Sequence, residues 1–387
     1  MRTPCSRGRG PRADGGVVTG ASLPLYARAV ALGIPLVWTV AHRLHDVRED
    51  TWVGVSLPAD EVPERAEVIR DALVEAGARE VEAQEHPDDA VLAVHSPELV
   101  RFLAHAWEDW ERDGMLDDPG QDRVVAYIFP TPGLAAGLAP REPQAVSART
   151  GFYCFDTTTA LGRGTWRAAR AAVDCALTAA DLVLVGERAA YACCRPPGHH
   201  VTRTAYGGSC FLNNAAVAAQ HLRTQGVARV AVVDVDAHQG NGTQQVFYED
   251  DSVLTCSVHV DPAAGWFPHF IGFADERGAG RGEGANVNVP VEPGSHDGTW
   301  LAAIAQTLDA VKAHGSEALV VPLGVDAAAE DPESPLEVTA GGYREAGRLL
   351  GALRLPTVLV QEGGYHLASL GGLVLAALEG IEEGMRA

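Results

Sequence analysis

Four short apolar runs in this chain each break off into polar residues able to do chemistry. Ala189–Cys194 ends in RPPGHH (Arg195–His200), and Arg229–Asp236 ends in Asp236-Ala-His238. Ala318–Val325 ends in Asp326, and Thr357–Gln361 ends in EGGY (Glu362–Tyr365). The runs are continuous rather than alternating, and stretches of helical periodicity separate them. These lie at Glu61–Ala76, Pro97–Arg112, Thr165–Ala180, Asn213–Gln225, Trp300–His314 and Gly341–Leu353, with a last helix to about Met385. Strands without a polar face need cover on both sides. The pattern therefore predicts an α/β fold: one three-layer α/β/α domain with a central, mainly parallel sheet. Further strands are expected near Ile34–Val40 and at Ser252–His259. Parallel strands end at a common edge, and ligands bind beyond that edge.

Successive side chains of a strand point to opposite faces, so Asp234, Asp236 and His238 are expected to project the same way. With Asp326 from another strand end, Asp236 and His238 are the candidate metal ligands. Oxygen and nitrogen donors without thiolate suit Zn²⁺, and also Fe²⁺ or Co²⁺. A lone Asp-x-His would read as a capped turn beside a surface histidine; the gathering of polar groups at strand ends argues against that. His199 and His200 follow Pro196-Pro197-Gly198 and could hold a water and move its proton. Each imidazole needs an orienting partner, and Asp234 and Asn241 are the candidates. Tyr365 follows Gly363-Gly364, where its hydroxyl could donate to a developing oxyanion; the alternative is a packed core tyrosine. Gly278–Gly284 neither follows a strand nor opens a helix, so it does not read as a phosphate loop.

The 387 residues, 47% of them hydrophobic, can bury one large core or two ordinary ones. Fifty-one acidic against 30 basic side chains give a formal charge of −21, which argues against a nucleic-acid partner. The same charge suits a small cationic ligand, and it also serves solubility alone. The seven cysteines form no CxxC pair, a usage that fits reduced thiols in a cytoplasm. Met1–Gly16 is basic and glycine-rich, and Val17–Val40 is fairly apolar but interrupted by Pro24, Arg28 and Pro35. Neither a signal peptide nor a membrane span is expected. Residues 1–33 are expected to be a disordered extension, and 34–387 the catalytic domain. That domain carries a loop insertion at about 106–148, long and rich in Pro and Gly from Gly114.

The runs RPPGHH, CFLNN (Cys210–Asn214), DVDAHQGNGTQ (Asp234–Gln244), LGVD (Leu323–Asp326) and EGGYHL (Glu362–Leu367) resemble the histone deacetylase superfamily of zinc-dependent amidohydrolases. The likeness runs from about His42 to the C-terminus. Within the superfamily the chain is most similar to bacterial acetylpolyamine amidohydrolases. That closer likeness rests on DTWVG (Asp50–Gly54), Gly151–Trp166, Asp261–Gly280 and the long loop before Gly151.

The resemblance implies an arginase/deacetylase-like domain that removes acetyl groups with metal assistance. Asp236, His238 and Asp326 would be the ligands, and His199, His200 and Tyr365 the catalytic groups. It implies a structural K⁺ or Na⁺ beside Asp234, Asp236, His238, Ser257 and Val258. It also implies a substrate tunnel at Gly208, Ser209, Phe267 and Gly363, and a homodimer formed through the insertion. Two residues depart from the family pattern. Gln239 stands where a second histidine is usual, and Ser209 replaces an aromatic wall. Phe267 would keep the opposite wall, so the tunnel is expected to be wider or to take a different acyl amine. The substrate implied is a small acetylated amine of polyamine type. The alternatives are an acetyl-lysine protein, a secondary-metabolite acyl amine, or non-catalytic binding of an acyl amine. Glu108, Asp109, Glu111, Asp113, Asp117 and Asp118 could attract ammonium groups or simply form a solvated face.

Overall fold

The computed structural model describes residues 31–387. Among the described residues ten strands form: β1 (Leu36–Trp38), β2 (Glu49–Trp52), β3 (Val55–Pro58), β4 (Glu80–Glu82), β5 (Ala189–Ala192), β6 (Val230–Asp234), β7 (Val253–Val260), β8 (Asn286–Val291), β9 (Ala318–Leu323) and β10 (Thr357–Gln361). Eight of them make one sheet in the order β4-β1-β5-β10-β9-β6-β7-β8, with every neighbouring pair parallel. β2 and β3 form a separate antiparallel hairpin.

Alternate residues of each strand feed two cores. Val230 and Val232 of β6, Val320 of β9 and Val358 of β10 face one side. There they meet apolar residues of the helices Pro97–Arg112, Thr165–Leu184 and Asn214–Thr224. Ala231, Val233, Val321 and Leu359 face the other, against the helices Glu64–Glu75, Asp297–His314, Ala340–Gly351 and Leu367–Arg386. The continuous apolar runs thus follow from double cover, and the three-layer α/β/α architecture is the one expected.

The four strands with polar endings, β5, β10, β9 and β6, are neighbours at the centre of the sheet. All run the same way, so their carboxyl ends open side by side. Asn213 caps the helix Asn214–Thr224 by accepting the Ala216 N–H at 2.9 Å. Its amide also donates to the Val201 carbonyl at 3.0 Å, tying that helix to the segment just after His199-His200.

Several elements differ from the sequence reading. β4 and β8, the two edge strands, were not expected: β4 has three residues, and β8 (NVNVPV) mixes Asn and Pro into its run. An edge strand needs less apolar cover, so its pattern is weaker. The segment Asn241–Phe247, to which the sequence reading assigned no element, is a helix. The insertion holds the four-residue helix Pro132–Ala135, and its end runs into the helix Val146–Tyr153. Of the expected N-terminal extension, residues 1–30 lie outside the described residues. Leu32 belongs to the core, and its N–H bonds the Ala76 carbonyl, so the packed domain begins slightly before residue 34. Among the described residues no helix is long and apolar enough to cross a membrane.

Candidate active site

Asp236 and His238 lie on the turn after β6, and Asp326 lies three residues beyond β9. One ligand atom from each falls within 4.8 Å of the other two. His238 Nδ1 is 2.9 Å from Asp326 Oδ2 and 3.2 Å from Asp236 Oδ1. Both carboxylates are buried and aimed by backbone amides. Asp326 Oδ1 accepts from Ala237 N–H and Asp236 Oδ2 from Gly363 N–H, each at 2.8 Å. Burial first, and then the charge of Asp236, pushes Asp326 up to about 7. Asp236 is held far below the usual carboxylate range: burial opposes this, but His199 and His238 outweigh it. Two carboxylates in mutual repulsion beside an imidazole make a pocket suited to a divalent cation.

The expectation that strand alternation aligns Asp234 with Asp236 and His238 needs correction. β6 ends at Asp234, and the turn, not the pleat, brings the other two round. Asp234 faces His199 instead, with Oδ2 at 2.9 Å from Nδ1. His200 Nδ1 lies 2.6 Å from Asn241 Oδ1. The two imidazoles sit with centroids 4.0 Å apart, and their surroundings drive them apart electrostatically. For His199, burial is outweighed by Asp234 and Asp236, and the imidazole is pushed up to about 10. His200 is pushed well down by burial and by the charge of its neighbour His199. Unequal neighbours of this kind divide acid and base roles.

Tyr365 enters from β10 through Gly363-Gly364. Its N–H donates to Asp331 Oδ2 at 2.6 Å. Burial raises its phenol well above the ordinary value, Arg65 opposes this, and Asp326 and Asp236 add to it. The phenol is thus within the field of the two carboxylates. Gly363 cannot carry a side chain here: a Cβ would stand 2.5 Å from Asp326 Oδ2 and 2.6 Å from Asp236 Oδ2. Gly208 has φ 61°, and a Cβ on it would stand 2.3 Å from the His200 ring.

Phe267 lies against the histidines, with its ring centroid 4.8 Å from His200 and 6.3 Å from His238. Ser209, at φ 61°, lines a small cavity with His45, Asp50, Glu61, Thr158 and Phe211. Gln239 turns away from the Asp236–His238–Asp326 group; its amide donates to Gln244 Oε1 at 2.9 Å. Asp234 and Ser257 are direct partners across β6 and β7, and both line a second small cavity. Val258 is buried in the core, so only its backbone could serve a cation. Of the acids near the insertion, Asp109 pairs with Arg112 and Arg149, Asp113 with Arg112, and Glu111 with Arg163. Those charges are already matched within the chain, which favours the solvated-face reading for these three.

Two residues that the sequence reading left without a role hold the site together. Arg65, buried in the helix Glu64–Glu75, donates to the carbonyls of Gly364 at 2.5 Å and Glu362 at 2.6 Å. Its guanidinium also sits 4.6 Å from the centre of the Tyr365 ring. Glu362 Oε2 accepts from Gly198 N–H at 2.6 Å and His199 N–H at 3.1 Å, locking the β5 ending to the β10 ending. Burial first, and Asp234 with it, pushes Glu362 up to about 7, against His199 and the two backbone donors. An acid inside a glycine-rich strand ending was the available signal for Glu362. For Arg65, a cation on a helix, no local signal exists.

Residues 59–381 match the histone deacetylase domain. An acetylpolyamine amidohydrolase of Mycoplana ramosa is 39% identical over 347 residues, covering 89% of this chain and 99% of the relative. Another, from Burkholderia pseudomallei, is 43% identical over 313 residues, covering 80% of this chain and 87% of the relative. A crystal structure of acetylpolyamine aminohydrolase from Burkholderia pseudomallei superposes with a TM-score of 0.85 at 38% identity, over 91% of this chain and 99% of that one. The matched span, residues 59–381, includes all four strand endings described above, and with relatives this similar over most of their length the chain belongs to the histone deacetylase family.

Proposed function

We propose that this chain is a metal-dependent amidohydrolase that deacetylates small acetylated amines of the polyamine type, releasing acetate and a free amine. The observation that carries the reading is the convergence of Asp236, His238 and Asp326 beside the paired histidines His199 and His200. The two buried carboxylates and one imidazole fit Zn²⁺, with Fe²⁺ or Co²⁺ as alternatives, and the described cysteines are all buried and none belongs to the group. A cation held there would act as a Lewis acid toward a water and the acetyl carbonyl.

The chain's own groups do the rest. His200 is kept neutral and is oriented by Asn241, which suits its Nε2 to accept the proton of the attacking water. The same nitrogen returns that proton to the departing amine. His199, held charged by Asp234, stabilises the negative charge that develops beside it. Tyr365 donates its hydroxyl to the former carbonyl oxygen, with Arg65 fixing the loop on which it stands. Asp234 and Ser257, with backbone of the β6 turn and Val258, are the proposed holders of a structural K⁺ or Na⁺.

A homodimer is supported by exposed apolar side chains on the insertion, Tyr127, Leu134 and Leu138, beyond what an isolated monomer needs. Six free, buried thiols support a cytoplasmic setting. The catalytic unit proposed is residues 34–387 together with the packed lead-in from Leu32. Metal-reconstituted protein should be assayed with acetylputrescine, acetylspermidine, an acetyl-lysine peptide and longer acyl amines. The acetylated polyamines should show the highest kcat/KM. Preference for the peptide would make this a protein deacetylase, and preference for long acyl groups a secondary-metabolite hydrolase. Tight binding without turnover would leave only an acyl-amine binding protein.

A further inference from the structure

Ser209 was expected to leave the substrate passage bare on the side opposite Phe267. Another aromatic stands there. Phe155, just beyond the helix Val146–Tyr153, faces Phe267 with ring centroids 6.4 Å apart and planes inclined by only 28°. Phe267 in turn packs on His200. The pair therefore forms two near-parallel faces, of which Phe267 borders His200 and His238.

The placement of Phe155 is built, not incidental. Its N–H donates to the Tyr206 carbonyl at 3.1 Å, and Tyr206 N–H donates to the Tyr153 carbonyl at 2.8 Å. The segment after Phe155 is tied to the Gly207–Ser209 loop as well: Gly208 N–H donates to Asp156 Oδ2 at 2.6 Å and Ser209 N–H to Thr159 Oγ1 at 2.8 Å. Asp156 is itself engaged by the N–H groups of Thr158 and Thr159 at 3.0 and 2.8 Å. The ring lies flat on Gly207, where a Cβ would stand 2.3 Å from Cε2 and 2.5 Å from Cζ. Two consecutive glycines thus make room for two rings, Gly207 for Phe155 and Gly208 for His200.

We propose that Phe155 is a specificity-determining residue: with Phe267 it grips the unbranched methylene spacer next to the acetamide, in place of a wall at position 209. The proposal rests on the amidohydrolase reading above and adds the part of the chain that selects the alkyl segment. Carbon atoms in contact sit about 3.5–4.0 Å apart, so a methylene chain between two ring faces needs about 7–8 Å. The 6.4 Å separation must open slightly, and Phe155, 37% exposed, is the side free to give. A linear spacer fits between the faces; a branch beside the amide nitrogen does not.

The test uses Phe155→Ala, Phe155→Tyr and Gly207→Ala in the full-length, metal-reconstituted protein. The probes are acetohydroxamate, too short to reach the rings, and hexanohydroxamate, whose chain must pass between them. Calorimetry should show hexanohydroxamate weakened about tenfold by Phe155→Ala, from uncovering one face of about three methylenes, with acetohydroxamate unchanged. Gly207→Ala, by displacing the ring, should do the same, and Phe155→Tyr should keep wild-type affinity. With acetylputrescine, Phe155→Ala should raise KM by a similar factor at constant kcat. Equal loss for both hydroxamates, or no loss for either, overturns the proposal. If the wild type does not turn over acetylputrescine but the chain-length effect is present, the polyamine reading falls and the aromatic grip stands.

Discussion

Gly363→Ala tests the cation pocket with almost no change in chemistry. Gly363 has no left-handed φ, so its backbone can accept alanine. The obstacle is steric: the new Cβ would lie 2.5 Å from Asp326 Oδ2 and 2.6 Å from Asp236 Oδ2, whereas ordinary contact begins near 3.4 Å. Each carboxylate would have to retreat by roughly 0.8–0.9 Å, while a metal site tolerates only about 0.2 Å in its bond lengths. Neither has room to do so independently, since Asp236 is bonded to the Gly363 amide and Asp326 to the Ala237 amide. The expected cost is at least about 100-fold in metal affinity, the upper end of what removing a supporting residue alone does. Metal content after dialysis against a buffered free-metal series reads it directly, with far-ultraviolet circular dichroism confirming the fold. Gly372→Ala is the control: it is exposed, in the helix Leu367–Arg386, and nothing lies within 4 Å of its Cβ position. It should keep full metal and gain about 0.5–1 kcal/mol of stability. A Gly363→Ala protein that binds metal with wild-type affinity would refute the claim that Asp236 and Asp326 share one ion.

Tyr365→Phe should retain metal and lose about 10²–10³-fold in kcat; an unchanged kcat would take the phenol out of the reaction. Asp236 and Asp326 are buried carboxylates converging on one candidate ion site, so chelation should lower the melting temperature. Restoring the cation at about 1,000 times its Kd should return about 4 kcal/mol, and identical melting with and without chelator would contradict this. Away from the site, His86 is raised, by its bond to Asp174 first and also by Asp181, against partial burial. Stability from its charge is complete below the unfolded value of 6.5 and is lost as pH rises through the higher folded value. His86→Gln should therefore destabilise more at about pH 5.5 than at about pH 8.5, by less than about 1 kcal/mol, since the partner Asp181 is half-exposed and screened by solvent. Equal melting losses at the two pH values would discount the charge.

The residues at the strand endings were legible because their positions follow from two local rules. A continuous apolar run is a strand covered on both faces, and parallel strands finish at one edge. Asp236, His238, Asp326, His199, His200 and Tyr365 could therefore be grouped without knowing the order of the strands, and Asn241 and Asp234 follow from lying in the same segment. Tertiary structure alone decided which strands are adjacent, that a turn rather than the pleat brings Asp236 and His238 round, and that Gln239 faces away. It alone also placed Arg65 beneath Tyr365 across 300 residues of chain, Glu362 on the backbone of Gly198, and Phe155 opposite Phe267. Such contacts leave no period in the sequence. A strand or helix imposes its repeat on near neighbours, but a hydrogen bond or a ring face between distant segments depends on where the completed sheet delivers them.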